Sequence, residues 1–213
     1  MEAHKRPGVR TVDCGPLKPC KLVVSWSAYR NLIEELALLI ADSRPKPGVD
    51  GGKIVIVGIT TGGALPARCV CDVLKAQLAL VGAKSYVGTE RQNEGYFSSN
   101  LLMPPAELQE TNPVDVVIVD DTTDTGRTFG RISQWVRYES ELAPRIHSFR
   151  TASLWHKGTS SFEPDMFVDR VMPMKGEIPW VMQPHEWLEG ETLEGLRART
   201  YTRLEGQRKR TYG

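Results

Sequence analysis

The chain is 213 residues long with 40% hydrophobic side chains, enough for one α/β domain with a full core. Its 27 basic and 26 acidic residues leave a formal net charge of +1, so no global electrostatic case exists for a nucleic-acid or membrane-surface binder. No apolar run approaches the roughly 20 residues that span a bilayer.

Residues 1–20 carry Pro7, Gly8, Gly15, Pro16 and Pro19 among scattered basic groups and read as a flexible N-terminal extension. Residues 1–7 hold no apolar h-region, so no secretory signal is expected. Cys14, Cys20, Cys69 and Cys71 fit no common zinc spacing, and a reducing cytoplasm is the expected setting. Residues 21–26 read as a short strand. Ser27 is placed to cap a helix through Ala41, in which Ala28, Leu32, Leu36, Leu39 and Ile40 recur at helical spacing. Trp26 is expected in the core.

Residues 44–52 form a turn-rich connector. Residues 53–59 predict a buried strand running into Thr60, Thr61, Gly62 and Gly63. A helix over 64–80 follows, with Pro66 in its first turn, where a missing N–H costs little. Small residues between a strand and a helix start let backbone N–H groups approach an anion. Residues 84–89 read as a third strand. Residues 90–114 show little periodicity and are expected to be a long loop, a length often used as a lid.

Val116, Val117, Ile118 and Val119 then run straight into Asp120 and Asp121. Four consecutive β-branched residues predict a strand buried on both faces of a parallel sheet. The turn Asp124, Thr125, Gly126, Arg127, Thr128 can point backbone N–H groups and two hydroxyls at one anion, just where the next helix (129–139) begins. The two acids above it can take hydroxyl groups or a metal. A further strand over 147–155, interrupted at Arg150 and Thr151, ends at His156, Lys157 and Gly158.

The string 116–128 resembles the phosphoribosyl-diphosphate (PRPP) signature of type I phosphoribosyltransferases: an apolar strand, two acids, two variable residues, then Asp-Thr-Gly-x-Thr. Residues 60–63 look like that family's pyrophosphate loop. Here the chain departs from the pattern, since 6-oxopurine members usually carry Lys or Arg where Thr61 stands, leaving Arg91 or another base to supply the charge. Lys157 matches the strand-end lysine that donates to the purine's exocyclic oxygen. Residues 177–187 look like the hood segment of bacterial xanthine-guanine phosphoribosyltransferases, with Trp180 matching the stacking aromatic, Val181 the base-edge reader, and Glu186 a metal-holding acid.

The resemblance implies an α/β, type I phosphoribosyltransferase fold: a mainly parallel central sheet flanked by helices, with a small C-terminal hood. It divides the chain into the extension 1–20, a catalytic domain over 21–188 with its hood at about 160–188, and a basic tail over 189–213. It further implies transfer of 5-phosphoribose from PRPP to N9 of guanine, xanthine or hypoxanthine in a cytoplasmic homodimer or homotetramer. Asp120 and Asp121 would hold the ribose hydroxyls directly or through Mg2+. Thr125, Gly126, Arg127 and Thr128 would grip the 5-phosphate, and Asp124 would serve as general acid/base near N7. Thr60, Thr61, Gly62 and Gly63 would face the pyrophosphate. The alternatives are another base on the same scaffold, or a non-catalytic PRPP- or nucleotide-sensing regulator, for which Thr61 and the basic tail speak.

Overall fold

The computed structural model describes residues 5–13, 20–44, 52–87, 90–186 and 191–201. The strands are β1 (Val9–Val12), β2 (Lys21–Val24), β3 (Lys53–Thr60), β4 (Gln77–Val87), β5 (Glu90–Phe97), β6 (Val114–Thr123), β7 (Ile146–Lys157), β8 (Met166–Val171) and β9 (Trp180–Met182). The helices are α1 (Trp26–Asp42), α2 (Ala64–Leu74), α3 (Pro105–Leu108) and α4 (Arg127–Tyr138).

The main sheet runs β5-β4-β3-β6-β7-β8, parallel throughout except for the antiparallel edge strand β5. This is the mainly parallel sheet flanked by helices that the sequence predicts. Side chains alternate across a strand, and here both faces are apolar. Ile54, Ile56, Val117 and Val119 pack on α1 and α2, while Val55, Val57, Val116 and Ile118 pack on α4. Val116, Val117, Ile118 and Val119 are fully buried. Each is worth about 1.5–3 kcal/mol on burial, so apolar packing on two sides pins β6 and delivers its acids to the carboxyl end.

Several local expectations are corrected. α1 starts two residues early: Ser25, not Ser27, is its cap and accepts the Ala28 N–H at 3.2 Å. That shift puts Trp26 on the outer face, 56% exposed, instead of in the core. α2 ends at Leu74, where Lys75 adopts a left-handed C-cap (φ 54°), and residues 77–80 join β4 rather than extending the helix. The loop expected over 90–114 contains β5 and α3, and Leu101 and Met103 are buried in the core. β7 is continuous through Arg150 and Thr151 because their polar groups find partners: Asp165 accepts both the Thr151 N–H and hydroxyl, at 2.7 and 2.8 Å. On α2, Cys71 is buried and Cys69 half-buried, both as free thiols.

A second sheet, β1-β2-β9, forms the hood. Val9–Val12, expected within a flexible extension, pairs antiparallel with β2, and Arg6 reaches both Glu35 (2.7 Å) and Asp169 (2.8 Å). β9 pairs parallel with β2, Leu22 opposite Val181. The hood therefore combines both ends of the domain, while Met166–Val171, expected in it, is a strand of the main sheet. Most of the connector 44–52, Cys14, Trp187 and tail residues 202–213 lie outside the described residues. Of the tail, residues 193–201 are helical.

Candidate active site

Parallel pairing of β3, β6 and β7 brings their carboxyl ends to one edge, so the turns after all three strands meet. Ligands in open α/β sheets bind at such an edge. A cleft of about 510 Å³ opens there. Its wall includes Thr60, Thr61 and Gly62 after β3, residues 120–126 and Thr128 at the end of β6, Lys157 at the end of β7, and Trp180, Val181, His185 and Glu186 from the hood.

Close backbone approach explains the two glycines after β3. A Cβ on Gly62 would fall 2.4 Å from Asp121 Oδ1, and one on Gly63 would fall 2.5 Å from the Val119 carbonyl oxygen. The loop is thereby seated directly on the acidic pair; its Thr60–Thr61 peptide is cis. Gly126 at φ +80° caps α4, a conformation that favours glycine.

Burial, and then the negative neighbour Asp121, hold the Asp120 carboxyl well above the usual carboxylate range. Burial also raises Asp121, partly offset by hydrogen bonding to Asp120 and by His185. The Asp121 N–H donates to Asp120 Oδ1 at 2.9 Å. Asp121, His185 and Glu186 each present a ligand atom, all within 4.8 Å of one another. Glu186 Oε2 accepts the Gln183 N–H at 2.8 Å. His185 packs edge-on against Tyr29, 5.5 Å between ring centres.

At the other end of the cleft, Lys157 is buried and its Nζ lies 2.9 Å from Asp124 Oδ1. The same ammonium sits 5.4 Å from the centre of the Trp180 ring. Trp180 is held through its backbone, its N–H donating to the Cys20 carbonyl at 3.0 Å, and the residue stays 40% exposed. A carboxylate, an ammonium and a flat open ring so arranged can take a planar heterocycle: one face on indole, one edge on donor and acceptor.

Of the residues expected in the site, Thr60, Thr61, Gly62, Asp120, Asp121, Asp124, Thr125, Gly126, Thr128, Lys157, Trp180, Val181 and Glu186 share this one cleft. Gly63 lies behind it as a spacer and Arg127 is exposed outside the wall. Asp121, His185 and Glu186 form a group that could hold a cation; it includes two of the three expected metal ligands, Asp121 and Glu186, and adds His185, while Asp120 is not in it. Nothing in the sequence but adjacency to Glu186 marked His185, because it lies in the turn after β9 and its neighbour Asp121 is far away in the sequence. The side chain of Arg91 lies outside the described residues.

A family model described as phosphoribosyl transferase domain matches residues 25–189. Among solved structures, the chain is similar to a purine phosphoribosyltransferase from Pyrococcus horikoshii Ot3 (TM-score 0.57, 24% identity, covering 78% of this chain and 93% of that one). It is also similar to the Helicobacter pylori xanthine-guanine-hypoxanthine phosphoribosyltransferase (TM-score 0.55, 17% identity, 83% and 97% covered). A third likeness is to a hypothetical protein from Neisseria gonorrhoeae with bound ppGpp (TM-score 0.54, 19% identity, 78% and 88% covered).

Proposed function

The chain belongs to the phosphoribosyltransferase domain family, and from that premise we propose that it transfers 5-phosphoribose from PRPP to N9 of a 6-oxopurine. The observation that carries the base assignment is Lys157, whose ammonium lies 2.9 Å from Asp124 and 5.4 Å from the Trp180 ring centre. An ammonium donates to an exocyclic oxygen and is mismatched to an exocyclic amine, so guanine, hypoxanthine or xanthine is favoured over adenine.

In this reading the bond from ribose C1 to pyrophosphate breaks, N9 attacks C1, and the base loses a proton. Asp124 handles that proton or orients the base at N7, and Trp180 covers the ring face. The turn from Thr125 to Thr128 receives the 5-phosphate on N–H groups at the start of α4. Thr60, Thr61 and Gly62 approach the pyrophosphate through backbone. Asp120 and Asp121 accept the ribose hydroxyls.

Two of the three donors in the cluster of Asp121, His185 and Glu186 also fit Mg2+, the exception being the His185 nitrogen. Asp121 and Glu186 offer hard oxygens, and a cation there would relieve the raised carboxyls of the acidic pair. When bound, the ion supplies charge neutralisation to the departing pyrophosphate. We place the enzyme in cytoplasmic purine salvage as a homodimer or homotetramer.

The test is pyrophosphate release from PRPP and Mg2+ with guanine, hypoxanthine, xanthine, adenine and uracil in turn. Turnover confined to one or more of the first three is the expected outcome. Silence with every base while PRPP still binds would favour a second reading, a nucleotide-sensing protein. Thr61 in place of a cation and the fold's likeness to the ppGpp-bound Neisseria protein are the observations on that side.

A further inference from the structure

We propose that Ser161, outside the cleft, is a positioning residue of the anion turn: by holding the Thr125 carbonyl from behind, it aims the Gly126 N–H into the cleft. The inference rests on the phosphoribosyl reading of that turn. Its basis is a short strap, residues 158–162, that leaves β7 directly after Lys157 and crosses behind the turn.

The strap is itself well held. The Ser160 N–H donates to the Lys157 carbonyl at 2.9 Å, turning the chain back. Ser160 Oγ donates to the Phe162 carbonyl at 2.9 Å and accepts the Phe162 N–H at 3.2 Å. The Phe162 ring stacks on Phe129 of α4, 5.2 Å between centres and 17° between planes. Phe162 Cβ also lies 2.4 Å from where a Cβ on Gly126 would stand, so strap and turn touch without a gap.

Between these anchors Ser161 donates twice to one acceptor. Its N–H reaches the Thr125 carbonyl at 3.2 Å and its hydroxyl reaches the same oxygen at 2.8 Å. In a trans peptide the C=O and N–H point in opposite directions. Fixing the Thr125 oxygen on the strap side therefore turns the Gly126 N–H to the other side, where Thr125 and Gly126 line the cleft. Gly126 at φ +80° makes this choice necessary: a peptide next to glycine can turn over at little steric cost. The turn's own residues permit both orientations, and the strap selects the one that presents a donor to an anion. Because the strap follows directly on Lys157, the two ends of the cleft share one support.

Ser161→Ala removes the hydroxyl donor and keeps the backbone one. Ribose 5-phosphate binding, read by calorimetry on the full chain, should weaken about threefold to tenfold, the worth of one hydrogen bond. PRPP KM should rise by the same factor, with kcat and the base KM unchanged. Ser161→Thr, which keeps a hydroxyl, should restore both. Wild-type affinity in Ser161→Ala, or joint loss of kcat and both KM values without rescue by Ser161→Thr, would overturn the proposal. If the wild-type chain turns over no base but Ser161→Ala still weakens ribose 5-phosphate binding, the transfer reading fails and the positioning role stands.

Discussion

Gly62 and Asp121 are matched by contact: the Cβ that Gly62 lacks would lie 2.4 Å from the Asp121 carboxylate oxygen. The glycine is the space that lets the turn after β3 rest on the acid at the end of β6. Gly62→Ala must push either the loop or the carboxylate away. We expect a stability loss of about 1–3 kcal/mol, the usual cost of overpacking. PRPP KM should rise about tenfold or more, because the loop no longer reaches its position. Denaturant unfolding and steady-state kinetics on one variant read both effects, and an unchanged PRPP KM would show that the loop does not face this substrate.

Asp124 is expected to act on the proton and not on affinity. Asp124→Asn keeps the shape and removes the charge that pairs with Lys157 at 2.9 Å. The expected result is a kcat loss of about 10²–10⁴, the range for general acid–base groups, with PRPP KM within about threefold of wild type. Equal losses in turnover and PRPP binding would remove the role.

Trp180 is 40% exposed, so more than half of its surface is covered, and Trp180→Ala should lower the melting temperature as well as weaken base binding. The base KM should rise about fivefold to a hundredfold, taking base–aromatic stacking at about 1–3 kcal/mol. PRPP affinity serves as the internal control, and a variant whose base KM stays at the wild-type value would place the purine elsewhere.

The acidic pair makes a pH prediction. Asp120 holds its proton above the ordinary carboxylate range because of burial and then Asp121. Between the unfolded and folded pKa values the native state binds more protons than the unfolded chain. Stability from this group is therefore greatest below the unfolded value and falls as pH rises through the raised one, by up to about 1.4 kcal/mol per pH unit. Asp120→Asn should raise the melting temperature at neutral pH, and the gain should vanish at acidic pH, where wild-type Asp120 is protonated. A gain independent of pH would rule out titration as its source.

Local chemistry made much of the fold and site legible. The strand β6 announced itself because burial on two faces demands consecutive apolar residues, and the acids and turn that follow are contiguous with it. Trp180 and Lys157 were legible through resemblance, and both line the cleft. The misreadings share a cause. Trp26 reads as core by size alone, but Ser25 rather than Ser27 starts α1 and turns the indole outward. Val9–Val12 sits among prolines and glycines and carries no periodicity of its own; its pairing comes from β2. His185 and Ser161 face partners far away in sequence, Asp121 and Thr125, so no window of the sequence contains the contact.

The sequence by itself determined the order of β2, α1, β3, α2, β6, α4 and β7, the burial of β6 and the chemical types available to the cleft, since these depend on propensity, periodicity and contiguous turns. The tertiary structure alone decided that the hood draws on both ends of the domain, that one lysine faces both an acid and an indole, and that a strap after β7 backs the turn after β6. Those relationships arise from parallel strand register, which sets residues tens of positions apart at one edge of the sheet, and that register depends on the packing of the whole chain.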